Sequence, residues 1–137
     1  MDLERIKRAA TELSRVREAS NERMASWRKE RAELSAVEFV VFDETQSVAW
    51  NKEEREHRIR SLRCKEAAEF AKIQKEERKL MDAIKDEIQS DYHLPDAVIN
   101  IVMVNAEEDG HAFGWTEILH KAQSYAEFAN QVMEAML

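Results

Sequence analysis

Glycine and proline are almost missing from this chain, which has two glycines and one proline among 137 residues. Sandwiches and barrels need many tight turns, and those turns depend on these two residues. The scarcity therefore argues against an all-β architecture. Apolar residues make up 44% of the chain, too many for wholesale disorder. Charged residues make up 36%, a share typical of long solvated helices, so the composition predicts an all-α protein.

Cysteine is also scarce. The single Cys64 excludes an internal disulfide and suits a reducing compartment. No apolar run approaches the roughly 18 residues that a transmembrane helix requires, so we expect no membrane association. The first residues are charged at five positions and lack the apolar segment of a signal peptide. These absences predict a cytoplasmic protein.

Positive charge is nearly absent from the C-terminal third. Residues 91–137 hold one base, Lys121, against eight acids, whereas residues 1–36 and 51–90 are almost balanced. Phosphate-bearing ligands are therefore disfavoured in this third. No part of the chain has the basic stripe that nucleic-acid binding needs, so we do not expect a nucleic-acid partner. The charge distribution separates balanced long segments from an acidic, apolar C-terminal region.

The longest uninterrupted pattern runs from Asn51 to Asp91 and contains neither glycine nor proline. Apolar residues recur there in steps of three and four, or their sums, at Ile59, Leu62, Phe70, Ile73, Leu80, Ile84 and Ile88. This period fits a helix and no strand. Asn51 is a suitable residue to cap its first turn.

A second helix is predicted over residues 2–36, where apolar residues follow an a/d heptad spacing. Polar residues interrupt this seam at Arg17, Ser20 and Arg31. Because so polar a seam would pair weakly alone, we predict that it packs against the 51–91 helix as a long antiparallel, coiled-coil-like hairpin. A parallel homodimer through residues 2–36 is the alternative.

The connection between the two helices, residues 37–50, starts with the β-prone run Val37–Phe42. Such a run is unusual between helices, where a few polar residues suffice. Phe39 and Phe42 would close the end of the hairpin, belong to a short strand, or form an exposed contact site. Residues 1–91 are thus predicted as one helical hairpin with an apolar tip at 37–50.

Residues 92–137 are predicted as a smaller, acidic and apolar helical pair. Pro95 suits the start of a helix, and residues 97–105 are apolar nearly all round. This pattern fits a buried helix or a buried strand; the helix is favoured, and a strand pairing with residues 37–42 would instead give an α+β fold. The apolar faces before and after Gly114 differ by roughly 100°, so we predict a kink or break there.

Acidic, aromatic and histidine residues concentrate around this junction. The candidate binding residues are Glu107, Glu108, His111, Phe113 and Trp115, together with Phe39 and Phe42 of the tip. A histidine beside carboxylates can support acid–base catalysis, but no partner nucleophile and no phosphate-cradling loop accompany it. We therefore predict no catalytic residues and no cofactor. The cluster is interpreted as a binding site or as a capped helix junction with buried aromatic side chains.

Two Glu-x-x-His units, Glu54–His57 and Glu117–His120, have the spacing of ligands in helical di-iron proteins. However, Glu54 and His57 fall on the side of their helix opposite its apolar stripe. His120 likewise points away from the apolar face of its helix. A metal site at Glu117 and His120 is therefore a weak alternative to the absence of any metal.

The element Ala106–Ile118, with the spacing A-x-x-x-G-H-x-x-G-W-x-E-I, leads into a helix. It resembles elements at the ends of small uncharacterised helical proteins of tailed phages. The resemblance covers about a tenth of the chain and attaches no activity to it. It implies a phage accessory protein that acts in the host cytoplasm by binding a host component.

Surplus apolar surface without a catalytic constellation predicts a non-enzymatic protein-interaction module, acting as an inhibitor or scaffold. It would bind a protein partner or a second copy of itself, with a homodimer as the simplest assembly. The first alternative is a small-ligand-binding, sequestering oligomer with a pocket near His111 and Trp115. The second is a metal-dependent helical-bundle enzyme.

Overall fold

The computed structural model describes all 137 residues, and it is 86% helical with no strand. Its helices are α1 (Leu3–Ser35), α2 (Val48–Tyr92), α3 (Asp96–Gly110) and α4 (Trp115–Met136). A short 3-10 turn, His111–Phe113, lies between the last two. α1 and α2 pack against each other, and α3 and α4 form a pair. No helix combines the length and apolarity that crossing a bilayer would take.

These elements confirm the predicted all-α hairpin and C-terminal helical pair. The alternative of a small sheet is wrong, because residues 97–105 lie within α3 and residues 37–42 form no regular element. The prediction that Asn51 caps the second helix is also wrong. α2 begins at Val48, and Ser47 performs the capping by accepting a hydrogen bond from the Trp50 N–H on its Oγ at 3.1 Å.

Contacts divide the chain into two compact units. Unit 1 comprises Met1–Leu13 and Glu76–Leu137, and unit 2 comprises Ser14–Lys75. Sixteen of the nineteen buried apolar residues belong to unit 1, and the other three are Met24, Leu62 and Ile73. The buried polar and charged residues all belong to unit 2: Ser20, Asn51, Glu66 and Glu69. The interior is therefore apolar in unit 1 and mixed in unit 2.

The core of unit 1 consists of apolar faces from four helical segments, each with the three-and-four spacing of an amphipathic helix. The buried aliphatic side chains include Ile6, Leu80, Ile84, Ile88, Ile99 and Val102, with Ile118 and Leu119 from α4. Leu94, in the connection between α2 and α3, is buried as well. Its N–H donates to Gln89 Oε1 at 2.8 Å, and the Gln89 amide donates back to its carbonyl oxygen.

The junction between α3 and α4 depends on two glycines in different ways. A Cβ atom on Gly110 would lie 2.8 Å from the backbone nitrogen of Ile118, so the close approach of the two helices requires a residue without a side chain. Gly114 has φ 100° and ψ 178°, a conformation that is essentially limited to glycine, and it immediately precedes α4. The predicted break near Gly114 is confirmed.

Unit 2 is a pair of antiparallel helical segments joined by residues 36–47. Its seam departs from the sequence prediction at Phe70, which was expected in the apolar stripe but is 46% exposed. The Arg28 guanidinium lies 5.6 Å from the centre of the Phe70 ring. Glu66 and Glu69 are buried instead, because they lie closer to the middle of the stripe that Leu62 and Ile73 define.

Candidate functional site

The outer face of α3, formed by Ala97, Asn100, Ile101, Val104 and Asn105, exposes apolar side chains without a partner. Ile101 is 62% exposed and Val104 is 56% exposed. At 100° per residue they lie about 200° and 140° around the helix from Ile99, which is fully buried. α3 therefore presents one apolar face to the core of unit 1 and a second one to solvent.

The shape of this face suits another helix. Ala97, Ile101 and Val104 follow each other at intervals of four and three residues, the spacing by which one helix meets a second. Asn100 and Asn105 flank them, and together with Ile101 and Val104 they line a shallow, largely apolar depression of about 220 Å³. Such a depression can accommodate a single side chain of a partner helix.

The charged residues of α3 are all negative. Residues 97–106 are uncharged, whereas Asp96 precedes them and Glu107, Glu108 and Asp109 follow them. α3 contains no basic residue. Glu107 is half-buried, and this burial, with a smaller effect from the charge of Glu77, raises the pKa of its carboxyl group. An apolar strip with acidic ends is the result.

The predicted junction residues lie next to one another in the chain but do not enclose a pocket. His111 is exposed, and its Nδ1 lies 3.0 Å from the Glu108 carbonyl oxygen and 3.2 Å from that of Glu107. In its Nδ1–H tautomer the ring therefore caps the C-terminus of α3. Phe113 is 79% exposed and Trp115 is half-buried. The cap agrees with the interpretation of a capped junction, but the expectation of buried aromatic side chains is wrong for Phe113.

The Asp109 carboxylate is engaged in a hydrogen bond between α3 and α4. The Tyr125 hydroxyl group donates a hydrogen bond to Asp109 Oδ2, which joins the end of α3 to the middle of α4. The hydrogen bond to this carboxylate, with a contribution from burial, raises the pKa of Tyr125. Farther along α4, apolar side chains are again exposed, with Phe128 at 67% and Met136 at 80%.

The apolar tip is held from inside by Asn51, which is only 2% exposed. Its side-chain oxygen accepts hydrogen bonds from the backbone N–H groups of Phe42 and Asp43, at 2.8 and 3.2 Å. Its amide nitrogen donates to the carbonyl oxygens of Asp43 and Ser47, at 3.2 and 3.0 Å. Phe42 is half-buried below the Arg58 guanidinium, 4.0 Å from its ring centre, whereas Phe39 is 39% exposed.

Buried carboxylates replace apolar side chains along the seam of unit 2. Glu69 Oε2 accepts hydrogen bonds from Ser20 Oγ and from the Arg23 guanidinium, both at 2.8 Å, and Lys72 Nζ donates to Oε1 at 3.0 Å. Arg23, Lys72 and Ser20 together lower the pKa of Glu69 to about 2. Two of the predicted interruptions of the seam therefore have partners, Ser20 at Glu69 and Arg31 at Glu66, where its Nη2 lies 3.4 Å from Oε2. The remaining oxygen of Glu66 is buried without a hydrogen bond.

Neither Glu-x-x-His unit forms a metal centre. No group of three or more histidine, cysteine or acidic side chains has an arrangement suited to a metal ion. His57 and His120 are exposed, and Glu54 forms an ion pair with Arg58 at 3.0 Å. The depression beside His57, of about 240 Å³, is lined by residues of α2 alone.

Three features of these surfaces were not predicted from the sequence, although two of them left a signal there. The outer face of α3 is visible as a second apolar phase opposite Ile99. Glu66 and Glu69 lie on the same face of α2 as Leu62, and α1 carries arginines at the positions that meet them in an antiparallel hairpin, Arg31 for Glu66 and Arg23 for Glu69. Asn51 follows the acidic turn that it binds, but its role depends on the loop conformation and leaves no spacing signal.

The fold and these surfaces define a class, an all-α protein with a helical hairpin and a helical pair that carries an uncovered apolar face. Comparisons with protein-family models, with curated proteins and with solved structures found no match. Its function is therefore argued from the surfaces alone.

Proposed function

We propose that this chain is a non-enzymatic protein-interaction module whose outer face of α3 binds an amphipathic helix of a partner protein. The observation that carries the proposal is the exposure of Ile101 and Val104 on an uncharged strip. Burying a side chain of this size contributes roughly 1.5–3 kcal/mol. In a chain with 36% charged residues, so uniform an apolar strip is a costly surface to leave uncovered.

The partner helix should carry basic residues beside its apolar stripe. Acidic residues stand at both ends of the outer face, and the region from residue 91 onward holds eight acids against one base. Basic flanks would complement this charge and accelerate association. A second copy of the chain would instead bring two acidic surfaces together, so the homodimer is the competing occupant. The resemblance to tailed-phage proteins would make the partner a bacterial host protein, inhibited or scaffolded by this contact.

The proposal can be tested by placing the photo-crosslinking residue p-benzoylphenylalanine at Asn105 and irradiating cells that express the chain. We expect a crosslinked partner whose yield falls at least about tenfold with Ile101→Asp, because a buried charge opposes docking. The fold should tolerate this change, since Ile101 is 62% exposed. Ala67→Asp, at an exposed position of α2, is the matched control and should leave the yield unchanged.

Two results would contradict the proposal. One is a crosslinking yield that is indifferent to Ile101→Asp while circular dichroism shows an intact fold. The other is a crosslinked product that consists of two copies of this chain, together with a dimer in sedimentation equilibrium that Ile101→Asp dissociates. That second pair of results would assign the outer face to self-association.

A further inference from the structure

Residues 37–41 form an irregular segment, bent at Glu38, whose backbone N–H groups are unpaired. The N–H of Ala36 still donates to the Ala32 carbonyl oxygen at the end of α1, and the N–H of Phe42 donates to Asn51. Between these two residues no backbone N–H group has a hydrogen-bond partner in the chain. The segment is exposed or half-exposed throughout. It therefore offers donors and acceptors in the way that an edge strand does.

Both ends of this segment are fixed. At its C-terminal end, the four hydrogen bonds of the buried Asn51 hold Phe42, Asp43 and Ser47. At its N-terminal side, the Arg55 guanidinium Nε donates to the Leu34 carbonyl oxygen at 2.7 Å, which satisfies a free carbonyl at the end of α1. A segment held at both ends loses less conformational entropy on binding than a free loop.

Exposed and more covered side chains alternate from Phe39 to Phe42, whereas Val37, Glu38 and Phe39 are all exposed. Val37, Phe39 and Val41 are 43%, 39% and 53% exposed, whereas Val40 and Phe42 are more covered. Valine and phenylalanine are among the residues that favour extended pairing. The helical protein thus keeps a run of β-prone residues that has no strand to pair with.

We propose that residues 37–41 bind an edge strand of a partner protein by β-strand addition, and that this strand carries basic side chains. Residues 37–50 hold three acids, Glu38, Asp43 and Glu44, and no base. A basic strand complements these three acids. A second copy would place six acids together, which disfavours self-pairing through this segment. This site is separate from the outer face of α3, so either proposal can fail without the other.

The first experiment uses a defined strand as the probe. The acetylated and amidated hexapeptide Lys-Val-Lys-Val-Lys-Val is titrated into ¹⁵N-labelled protein, and amide shifts and hydrogen exchange of residues 37–41 are followed. We expect shifts and slowed exchange confined to the tip. The same peptide N-methylated at every residue cannot donate backbone hydrogen bonds, although its carbonyl oxygens still accept them, and its affinity should be at least about tenfold lower. Glu-Val-Glu-Val-Glu-Val should bind more weakly for reasons of charge.

The second experiment removes donors from the protein. Neighbouring N–H groups of an extended backbone point in opposite directions. One of Val40→Pro and Val41→Pro should therefore abolish peptide binding while the other leaves much of it intact. Val40→Thr and Val41→Thr retain the N–H groups and serve as matched controls. Circular dichroism verifies that the helices persist in all four variants.

Several results would overturn the proposal. Equal binding of the N-methylated and unmethylated peptides would show that backbone pairing is not involved. Equal binding of the acidic and basic peptides would show that the segment does not select a strand with basic side chains. Absence of shifts at the tip at millimolar peptide would show that the segment does not accept a strand. Shifts that appear with protein concentration alone would assign it to self-association.

Discussion

The buried side-chain amide of Asn51 supplies hydrogen bonds to a connection that has no regular secondary structure of its own. Its four hydrogen bonds satisfy two backbone N–H groups and two carbonyl oxygens of the connection between α1 and α2. Both ends of the amide are used, which requires the oxygen to face Phe42 and Asp43 and the nitrogen to face Asp43 and Ser47. Without this side chain, these backbone groups would lose their hydrogen-bond partners at a site that water barely reaches, since Asn51 is 2% exposed.

Replacing Asn51 with alanine should lower the free energy of unfolding by about 1–3 kcal/mol, because buried polar groups lose their partners. Chemical denaturation measures the loss, and limited proteolysis should cut residues 36–47 faster in the variant. Asn21→Ala, at an exposed position of α1, is the control and should change stability by about 0.5 kcal/mol or less. Equal effects of the two substitutions would mean that Asn51 does not hold the loop.

Glu69 makes the stability of the seam depend on pH. Its pKa lies at about 2 in the folded protein against an ordinary value of 4.5, so the ionised form is favoured by folding. The contribution is therefore fully present above about pH 4.5 and is lost as the pH falls towards 2. Glu69→Gln should have a lower melting temperature than the wild type at pH 7. The difference should shrink between pH 4.5 and 2, as followed by circular dichroism. A difference that is constant over this interval would refute the role of the charge.

At the scale of elements, replacing either of the two glycines should lower the stability of the fold, but for different physical reasons. Gly114→Ala places a side chain at φ 100° with no atom within 4 Å of the new Cβ, so its cost is backbone strain alone, about 1–3 kcal/mol. Gly110→Ala forces the Cβ against the backbone of Ile118 and should separate α3 from α4. Both losses are measured by chemical denaturation.

D-alanine distinguishes the two mechanisms. Introduced at position 114 by protein semisynthesis, it adopts positive φ without strain and should restore most of the stability that L-alanine removes. At position 110 the chirality of the added methyl group should bring no comparable recovery, because the helical φ there suits the L form. If D-alanine at position 114 is as destabilising as L-alanine, then the strain at this glycine is not the cause.

The elements themselves were largely predictable because helix periodicity is a local property. The stripe from Ile59 to Ile88 and the absence of glycine and proline gave α2 to within three residues at its start and one at its end. The phase shift around Gly114 gave the break between α3 and α4. Periodicity did not show that Phe70 is exposed while Glu66 and Glu69 are buried, since this outcome depends on arginines of another helix.

At the scale of the whole molecule, the two units differ in what stabilises them. Unit 1 buries sixteen apolar residues and no polar one, whereas unit 2 buries three apolar residues and four polar or charged ones. Buried ion pairs recover little beyond their desolvation cost, so the hairpin of unit 2 has the smaller net stabilisation per residue. This difference was not predictable from composition, because it depends on which charged residues meet.

Hydrogen exchange along α2 should reveal this difference within one continuous helix. Amides of residues 55–75 should exchange through local openings of lower free energy than amides of residues 80–90, which carry Leu80, Ile84 and Ile88. Native-state exchange in low concentrations of denaturant, read by NMR, measures both. Uniform protection along α2 would indicate that the helix opens as a single body.

The discontinuity of unit 1 also sets an order of events during translation. Met1–Leu13 leave the ribosome before Ser14–Lys75, yet the rest of the unit that buries Ile6 and Leu13 starts only at Glu76. At about 5–20 residues per second, the opening helix turns wait several seconds for their neighbours. During that interval only the intervening segment, Ser14–Lys75, has all of its contacts available. The nascent chain should therefore fold its part with buried carboxylates before its apolar part, so the pH dependence of Glu69 applies to the earliest folded part of the chain.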